Sequence, residues 1–314
     1  MNLMRRLWRW RNINLHIRNL ISLSDKLDEA KILTAKVLIN QIDSKGVLGN
    51  IEDAEFKVFS QFGEDGLLQY LVRQTGLNSE MHTFIEFGVE NYTESNTRFL
   101  VINDNWRGLI IDGNAEYIEH CKKSNIYWRH GLTAVNAFID RDNINRIISE
   151  AGYSGDIGVL SIDIDGNDYW VWEKIEVVNP VIVVCEYNSL FGVTIPITVP
   201  YDPEFNRTKA HYSNLYFGCS LKALEILGKK KGYALVGSTS VGNNAFFVRK
   251  DHLNNLKELS AEEAYRKSYF KESRDREGHL THLTGHARLE EIAELSVYDV
   301  ARETAVLIKE LPAD

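Results

Sequence analysis

Cysteine is scarce in this chain. The 3 cysteines, Cys121, Cys185 and Cys219, stand far apart and form no CxxC pair. Neither a disulfide framework nor a cysteine-based zinc site is expected to organise the fold, and a reducing, cytoplasmic setting fits best. Long apolar runs are also missing. None approaches the roughly 18 residues that span a bilayer. No apolar segment follows the basic N-terminus after Arg11, which argues against a secretory signal. Positive charge is in deficit: 36 Lys and Arg face 44 Asp and Glu, for a net charge of −8. A general nucleic-acid surface needs a basic excess, so no nucleic-acid partner is expected.

What is there suits a globular protein. Hydrophobic residues make up 44% and charged residues 25% of 314, enough for one large domain or two modest ones. Residues 1–50 read as a helical arm. Leu20, Leu23, Leu27, Ala30, Thr34 and Val37 recur at spacings of three and four, which is the seam of a short coiled coil. Before the seam, Arg5, Arg6, Arg9, Arg11 and Arg18 are interleaved with Trp8 and Trp10 and no acid. Two readings stay open for residues 1–20: peripheral contact with anionic lipid at the inner face of a membrane, or an oligomerisation or packing arm. The second is favoured, and with it a homo-oligomer.

Residues 51–250 alternate apolar, β-rich runs with helix-like segments. The expected strands are His82–Phe87, Gly108–Ile111, Ile126–Arg129, Gly158–Ile164, Val181–Glu186, Tyr233–Val236 and Ala245–Arg249. Continuous apolar runs are what strands covered on both faces require. Helices are expected at Ala115–Lys123 and Val135–Glu150. The fold class is therefore α/β, a doubly wound, mostly parallel seven-stranded sheet with an N-terminal helical arm and C-terminal helices. The polar loop 237–244 is expected to join its two strands as an antiparallel pair. Residues 251–314 read as a charged helical extension. Its His279, His282 and His286 could share a helix face and hold a metal, but Gly278 and Gly285 interrupt that helix. A solvated or interfacial segment is favoured there.

Four segments carry chemistry. An apolar strand ends at Glu86 and Gly88 before a polar loop, with Ser95 as an expected helix N-cap. In open α/β sheets, ligands bind beyond the carboxyl ends of strands. A dinucleotide site would want G-x-G-x-x-G, and here Gly88 stands alone with Glu90 and Tyr92 following. Glu86 and Glu90 would repel a pyrophosphate but suit a ligand bearing a sulfonium and an amine. A second strand ends at Asp112, 26 residues after Glu86, where a carboxylate can hold both ribose hydroxyls; a simple Asp-Gly-Asn turn is the bland alternative. A third delivers Asp163 and Asp165. It is not a calcium loop of the EF-hand kind, which wants Gly at position 6 and Glu at 12; counted from Asp163, Gly166 is at 4 and Lys174 at 12. A fourth ends at Glu186 and Asn188. Asp163, Asp165 and Glu186 could bind a divalent metal, orient a hydroxyl or act as base. The long irregular segment 191–213 reads as a lid or binding loop, and its His211 is the candidate general base.

Taken in order, Ser60-Gln61-Phe-Gly-Glu64-Asp65-Gly66, Phe84-Ile-Glu86-Phe-Gly88 with Ser95-Asn96-Thr97, Trp106-Arg-Gly108-Leu-Ile-Ile-Asp112, and Ser161-Ile-Asp163-Ile-Asp165-Gly166 followed by Pro180 through Glu186 resemble the FkbM-like family of methyltransferases. The resemblance covers about residues 55–250. It implies a class I methyltransferase fold, S-adenosylmethionine as cofactor, and O-methylation of a sugar or glycoconjugate acceptor, as in surface polysaccharides or glycolipids. It implies cofactor contacts from Gln61, Glu86, Gly88, Asn96, Asp112 and Asp163. Where the family commonly has Asp-x-Glu-Gly, this chain has Asp163-Ile-Asp165-Gly166. The competing expectations are a Rossmann-type nucleotide-sugar oxidoreductase and an inactive methyltransferase-fold scaffold.

Overall fold

The computed structural model describes residue 23 and residues 26–312. The arginine- and tryptophan-bearing segment 1–20 lies outside them. The chain divides into two units, Met1–Gly46 and Val47–Asp314. In the first, residues 26–44 form helix α1. The expected seam is not its covered face. Leu23, Leu27 and Val37 are exposed, whereas Ala35, Ile39 and Ile42 are buried. Those three follow the helical i, i+4, i+7 rule.

In the second unit, helix α2 (Glu64–Gln74) precedes an alternation of strands and helices. These are β1 (Thr83–Phe87), α3 (Arg98–Asp104), β2 (Arg107–Asp112), α4 (Ala115–Lys123), α5 (Asn125–Arg129), β3 (Leu132–Asn136), α6 (Ile144–Glu150), β4 (Gly155–Ile162), α7 (Asp168–Lys174) and β5 (Val178–Glu186). The chain continues through β6 (Ile197–Thr198), α8 (Arg207–Ala210), α9 (Leu221–Lys230), β7 (Tyr233–Ser238), β8 (Asn244–Arg249), α10 (Ala261–Ala264), α11 (His286–Glu291), β9 (Ser296–Asp299) and β10 (Thr304–Leu307). Seven strands form one sheet in the order β3-β2-β1-β4-β5-β8-β7. The first five pair in parallel; β8 runs antiparallel to both β5 and β7. The α/β, mostly parallel sheet and its antiparallel β7–β8 pair are those expected from the sequence.

The central strands are buried along their whole length, β1 at all five positions, because helices cover both faces. Alternate residues Ile85, Phe87, Leu109, Ile111, Leu160 and Ile162 join one core with Ile147 of α6, Trp172 of α7 and Leu224 of α9. Each such side chain contributes about 1.5–3 kcal/mol on burial. The chain order reverses at β1: β2 and β3 lie to one side, β4 and β5 to the other. That switch opens a crevice at the carboxyl edge.

Several expected elements differ. Ile126–Arg129 is the last part of helix α5, and the third strand is Leu132–Asn136. The apolar run at Ile126 fits a helical turn after Ser124, while β3 is a half-buried edge strand whose apolar residues only alternate. The expected helix over Val135–Glu150 begins at Ile144. Ser95 does not cap a helix; α3 starts at Arg98 after Thr97. The C-terminal segment is not a helical extension. Its α10 and α11 have 4 and 6 residues, Gly278 and Gly285 adopt φ of +87° and +57°, and β9 and β10 form a hairpin that pairs with β6. The alternating burial of Ser296–Asp299 is strand chemistry, and Thr304–Leu307 pairs with it. This small sheet packs Val297 and Ile308 against Phe191, Ile197, Val199, Leu215 and Tyr216, so the loop expected over 191–213 has a core of its own. His279 pairs with Asp275 at 3.2 Å and His286 with Glu290 at 3.7 Å, the solvated arrangement favoured above. Among the described residues no helix is long and apolar enough to cross a membrane.

Asp65 shows how the segment 55–66 is held. Its Oδ2 accepts from the backbone N–H of Val58, Phe59 and Ser60 at 2.7–2.8 Å and from Ser60 Oγ at 2.9 Å. Asp65→Ala leaves three buried backbone donors and the Ser60 hydroxyl without this acceptor, at a cost of roughly 1–3 kcal/mol for each donor left unpaired. Denaturant unfolding should show a loss of about 3 kcal/mol or more, with a smaller loss for Asp65→Asn, whose amide oxygen still accepts.

A carboxylate-lined candidate active site

The crevice holds a cavity of about 420 Å³, within the range of small-molecule sites. Four sheet strands deliver its acids: β1 gives Glu86, β2 Asp112, β4 is followed by Asp163, and β5 ends on Glu186. Glu90, Glu94 and Asp165 also line it, against one cation, Arg207. Gln61, Gly88 and Asn96 line it as well. Of the expected site residues, only His211 is absent from the lining.

Gly88 brings β1 and β4 together. Its φ is +68°, and a Cβ there would lie 1.7 Å from the backbone oxygen of Asp163. Only glycine allows that approach. Gly88→Ala should push the two strand ends apart, lowering both melting temperature and affinity for any ligand of the cavity. Calorimetry on the variant measures both.

Glu86 is buried, and its own loop occupies it. Oε1 accepts from the N–H of Asn96 at 2.8 Å; Oε2 accepts from Thr97 N–H at 3.2 Å and from the hydroxyls of Ser95 and Thr97. In this geometry Glu86 shapes the loop, with Ser95 as one of its donors, while it also lines the cavity. Burial, opposed by these hydrogen bonds, holds its pKa above the ordinary carboxylate value. Asn96 in turn donates from Nδ2 to Ser161 Oγ at 3.0 Å.

Asp112 remains available. Its Oδ2 accepts from Glu90 N–H at 2.8 Å and Oδ1 from Asn114 N–H at 2.7 Å. One acceptor position on each oxygen is left for a ligand. Gly113, Ala137, Phe138 and Ile139 line the cavity beside it, and Phe138 is 54% exposed. The sequence reading did not single out Phe138.

At the other end, one oxygen each from Asp163, Asp165 and Glu186 lies within 4.8 Å of the others. Asp165 adopts φ +54° and pairs with Arg207 at 2.5 Å. Burial, then repulsion from neighbouring acids, pushes the carboxyls of Asp163 and Glu186 well above the ordinary range. Asp168 is pushed up to about 6 by burial, although it accepts from the N–H of Ile164 and Gly166 at 2.9 Å and so fixes the Asp163–Gly166 turn. Three buried oxygens of this cavity have no partner: Glu186 Oε2, Asn167 Oδ1 and Asn244 Oδ1. The two asparagines were not expected here. They come from the start of α7 and of β8, and no local motif marks them.

His211 is set aside as the general base. Its Nδ1 lies 2.7 Å from Ser213 Oγ and its ring lies tilted against Tyr212, with centroids 4.1 Å apart. It packs a loop, and burial lowers its pKa.

For Glu186 the folded pKa is raised, so the folded protein binds the proton more tightly than the unfolded one. Stability then falls as pH rises from the ordinary carboxylate range towards the raised value. Glu186→Gln should therefore unfold at a higher temperature than the parent at neutral pH, with the gain fading on acidification. Each kcal/mol gained corresponds to roughly 2–4 °C. Thermal melts in chelator-treated buffer test this, and a lower melting temperature at neutral pH would contradict it.

No protein-family model matches the chain, and no curated protein does. Among solved structures it is similar to the N-terminal domain of EvdMO1 with SAH bound, at 10% identity over 60% of this chain and 80% of that one, with a TM-score of 0.37. It is also similar to a SAM dependent methyltransferase from Aquifex aeolicus, at 8% identity over 58% and 89%, TM-score 0.35. A third is the O-methyltransferase from Bacillus cereus in complex with SAH, at 11% identity over 68% and 88%, TM-score 0.35. At this distance the likenesses carry no functional argument, which rests on the geometry of the site itself.

Proposed function

We propose that the protein is an S-adenosylmethionine-dependent O-methyltransferase acting on a sugar hydroxyl. The observation that carries this reading is the cavity's one-sided chemistry. Seven carboxylates line it with one arginine; Glu86 is held by its own loop and Glu94 pairs with Lys57 at 3.1 Å, which leaves Glu90, Asp112, Asp163, Asp165 and Glu186 around the cavity with Arg207. Such a wall repels phosphate and attracts a ligand with an amine and a sulfonium. The reading is supported by the sheet order, since open α/β sheets bind ligands at such a switch in strand order. Asp112 would hold the ribose diol and Phe138 the face of adenine. The methionine end would then lie between Gly88 and Asp163.

The acceptor side is bounded by Asp163, Asp165, Glu186, Asn167 and Asn244. Carboxylates and amides of this kind grip sugar hydroxyls. The resemblance to FkbM-like methyltransferases supports the sugar. In the reaction the acceptor oxygen attacks the methyl carbon, an O–CH3 bond forms, and the S–CH3 bond breaks with its electron pair going to sulfur. The hydroxyl proton passes to the acidic cluster. The electrophile is already activated, so positioning supplies most of the rate.

Calorimetric titration of the full chain with S-adenosylmethionine should show saturable binding. Asp112→Ala should weaken it roughly tenfold or more, the value of hydrogen bonds to a charged group. A nicotinamide dinucleotide should not bind. Saturable binding of that dinucleotide, or a folded protein that ignores S-adenosylmethionine, would sink the reading and favour the oxidoreductase or the scaffold.

A further inference from the structure

We infer that Asp163, Asp165 and Glu186 form the binding site of one divalent hard cation of the Mg2+, Mn2+ or Ca2+ class, in a cavity that Asn167 and Asn244 also line. Acids gathered at a cavity do not define a site by themselves. The independent observation is the two asparagines. Each is 3% exposed, and each has a buried oxygen with no partner. Their orientation is not interchangeable. Asn244 Nδ2 donates to Glu64 Oε1 at 2.9 Å and Asn167 Nδ2 to the Asp202 carbonyl at 2.7 Å. The oxygens must therefore be the atoms left over. Asn244 also sits opposite Glu186 in the β5–β8 register, so one orphaned amide oxygen is carried beside one orphaned carboxylate oxygen.

The unpartnered amide oxygens of Asn167 and Asn244 can only accept, and Glu186 Oε2 accepts once its carboxyl is ionised, a set that a cation fits. Carboxylate and amide oxygens without imidazole or thiolate are the donor set of hard cations. Spacing agrees. Two oxygens on opposite sides of an ion lie at twice the metal–oxygen distance, roughly 4.0–4.2 Å for Mg2+ and 4.6–5.2 Å for Ca2+. The three carboxylates lie within 4.8 Å of one another. Arg207 supplies a protein cation to Asp165 at 2.5 Å, while Glu186 Oε2 stays unpartnered. Arg207 thus competes for one ligand without filling the site. The cation site stands on this geometry; its use in transfer, drawing an acceptor hydroxyl onto the metal so that its proton leaves more easily, rests on the methyltransferase reading.

The test is electron paramagnetic resonance titration of Mn2+ into the chelator-stripped full chain, with S-adenosylmethionine binding measured on the same preparation. One Mn2+ per chain is expected, displaced by Mg2+ or Ca2+. Glu186→Gln and Asp163→Asn should each weaken it by about tenfold or more, since even outer-shell losses cost that much at metal sites. Arg207→Gln should tighten it by releasing Asp165. No saturable Mn2+, or unchanged affinity in both carboxamide variants, overturns the site. Should those variants fail to fold, Arg207→Gln decides: tighter binding supports it, and unchanged or weaker binding overturns it. S-adenosylmethionine binding without Mn2+ overturns the cation site alone; Mn2+ binding without S-adenosylmethionine overturns the methyltransferase reading alone.

Discussion

Asp163, Asp165 and Glu186 hold like charges within 4.8 Å of one another at the end of a buried sheet. Asp163 and Glu186 are partly buried and Asp165 is exposed, so ionising the first two is costly unless something positive or hydrogen-bonding meets them. Among the described residues Arg207 approaches, and it reaches Asp165 at the exposed side. Much of the neighbouring structure keeps this arrangement from relaxing. Asp168 ties the Asp163–Gly166 turn, Gly88 locks the end of β1 against the end of β4, and antiparallel β8 closes the far side of β5.

The same edge of the sheet handles its acids in two ways. Glu86 and Asp65 are buried and heavily hydrogen-bonded by their own loops. They fix backbone. Asp112, Asp163 and Glu186 keep acceptor capacity facing the cavity. A residue's type and strand position do not separate these roles; the number of local donors does. This is why Glu86, which in sequence resembles a ligand contact, is a loop anchor in the structure.

The sequence was most legible where burial is two-sided. The strands around Glu86, Asp112, Asp163 and Glu186 are continuous apolar runs, and their ends put the acids at one edge once the sheet is assumed parallel. It was least legible at the margins. Strand β3 is an edge strand with only alternate apolar residues, so the more apolar Ile126–Arg129 outcompeted it. The C-terminal hairpin has strands of four residues each, too short to stand out against a charged background. Arg207, Asn167 and Asn244 reach the cavity from three separate places, and no spacing rule links them. His211 drew notice by its type alone, and type without a neighbour is weak evidence.

Asn244 enters the site from the first residue of a strand, whereas the other acceptors leave from the last residues of theirs. That inversion follows from the antiparallel insertion of β8 beside β5. Acceptors thus reach the cavity along two opposed chain directions: Asp112 and Glu186 on the parallel strands β2 and β5, and Asn244 on β8. A shift of β8 against β5 would therefore move Asn244 relative to Glu186 while leaving Asp112, on β2, in place.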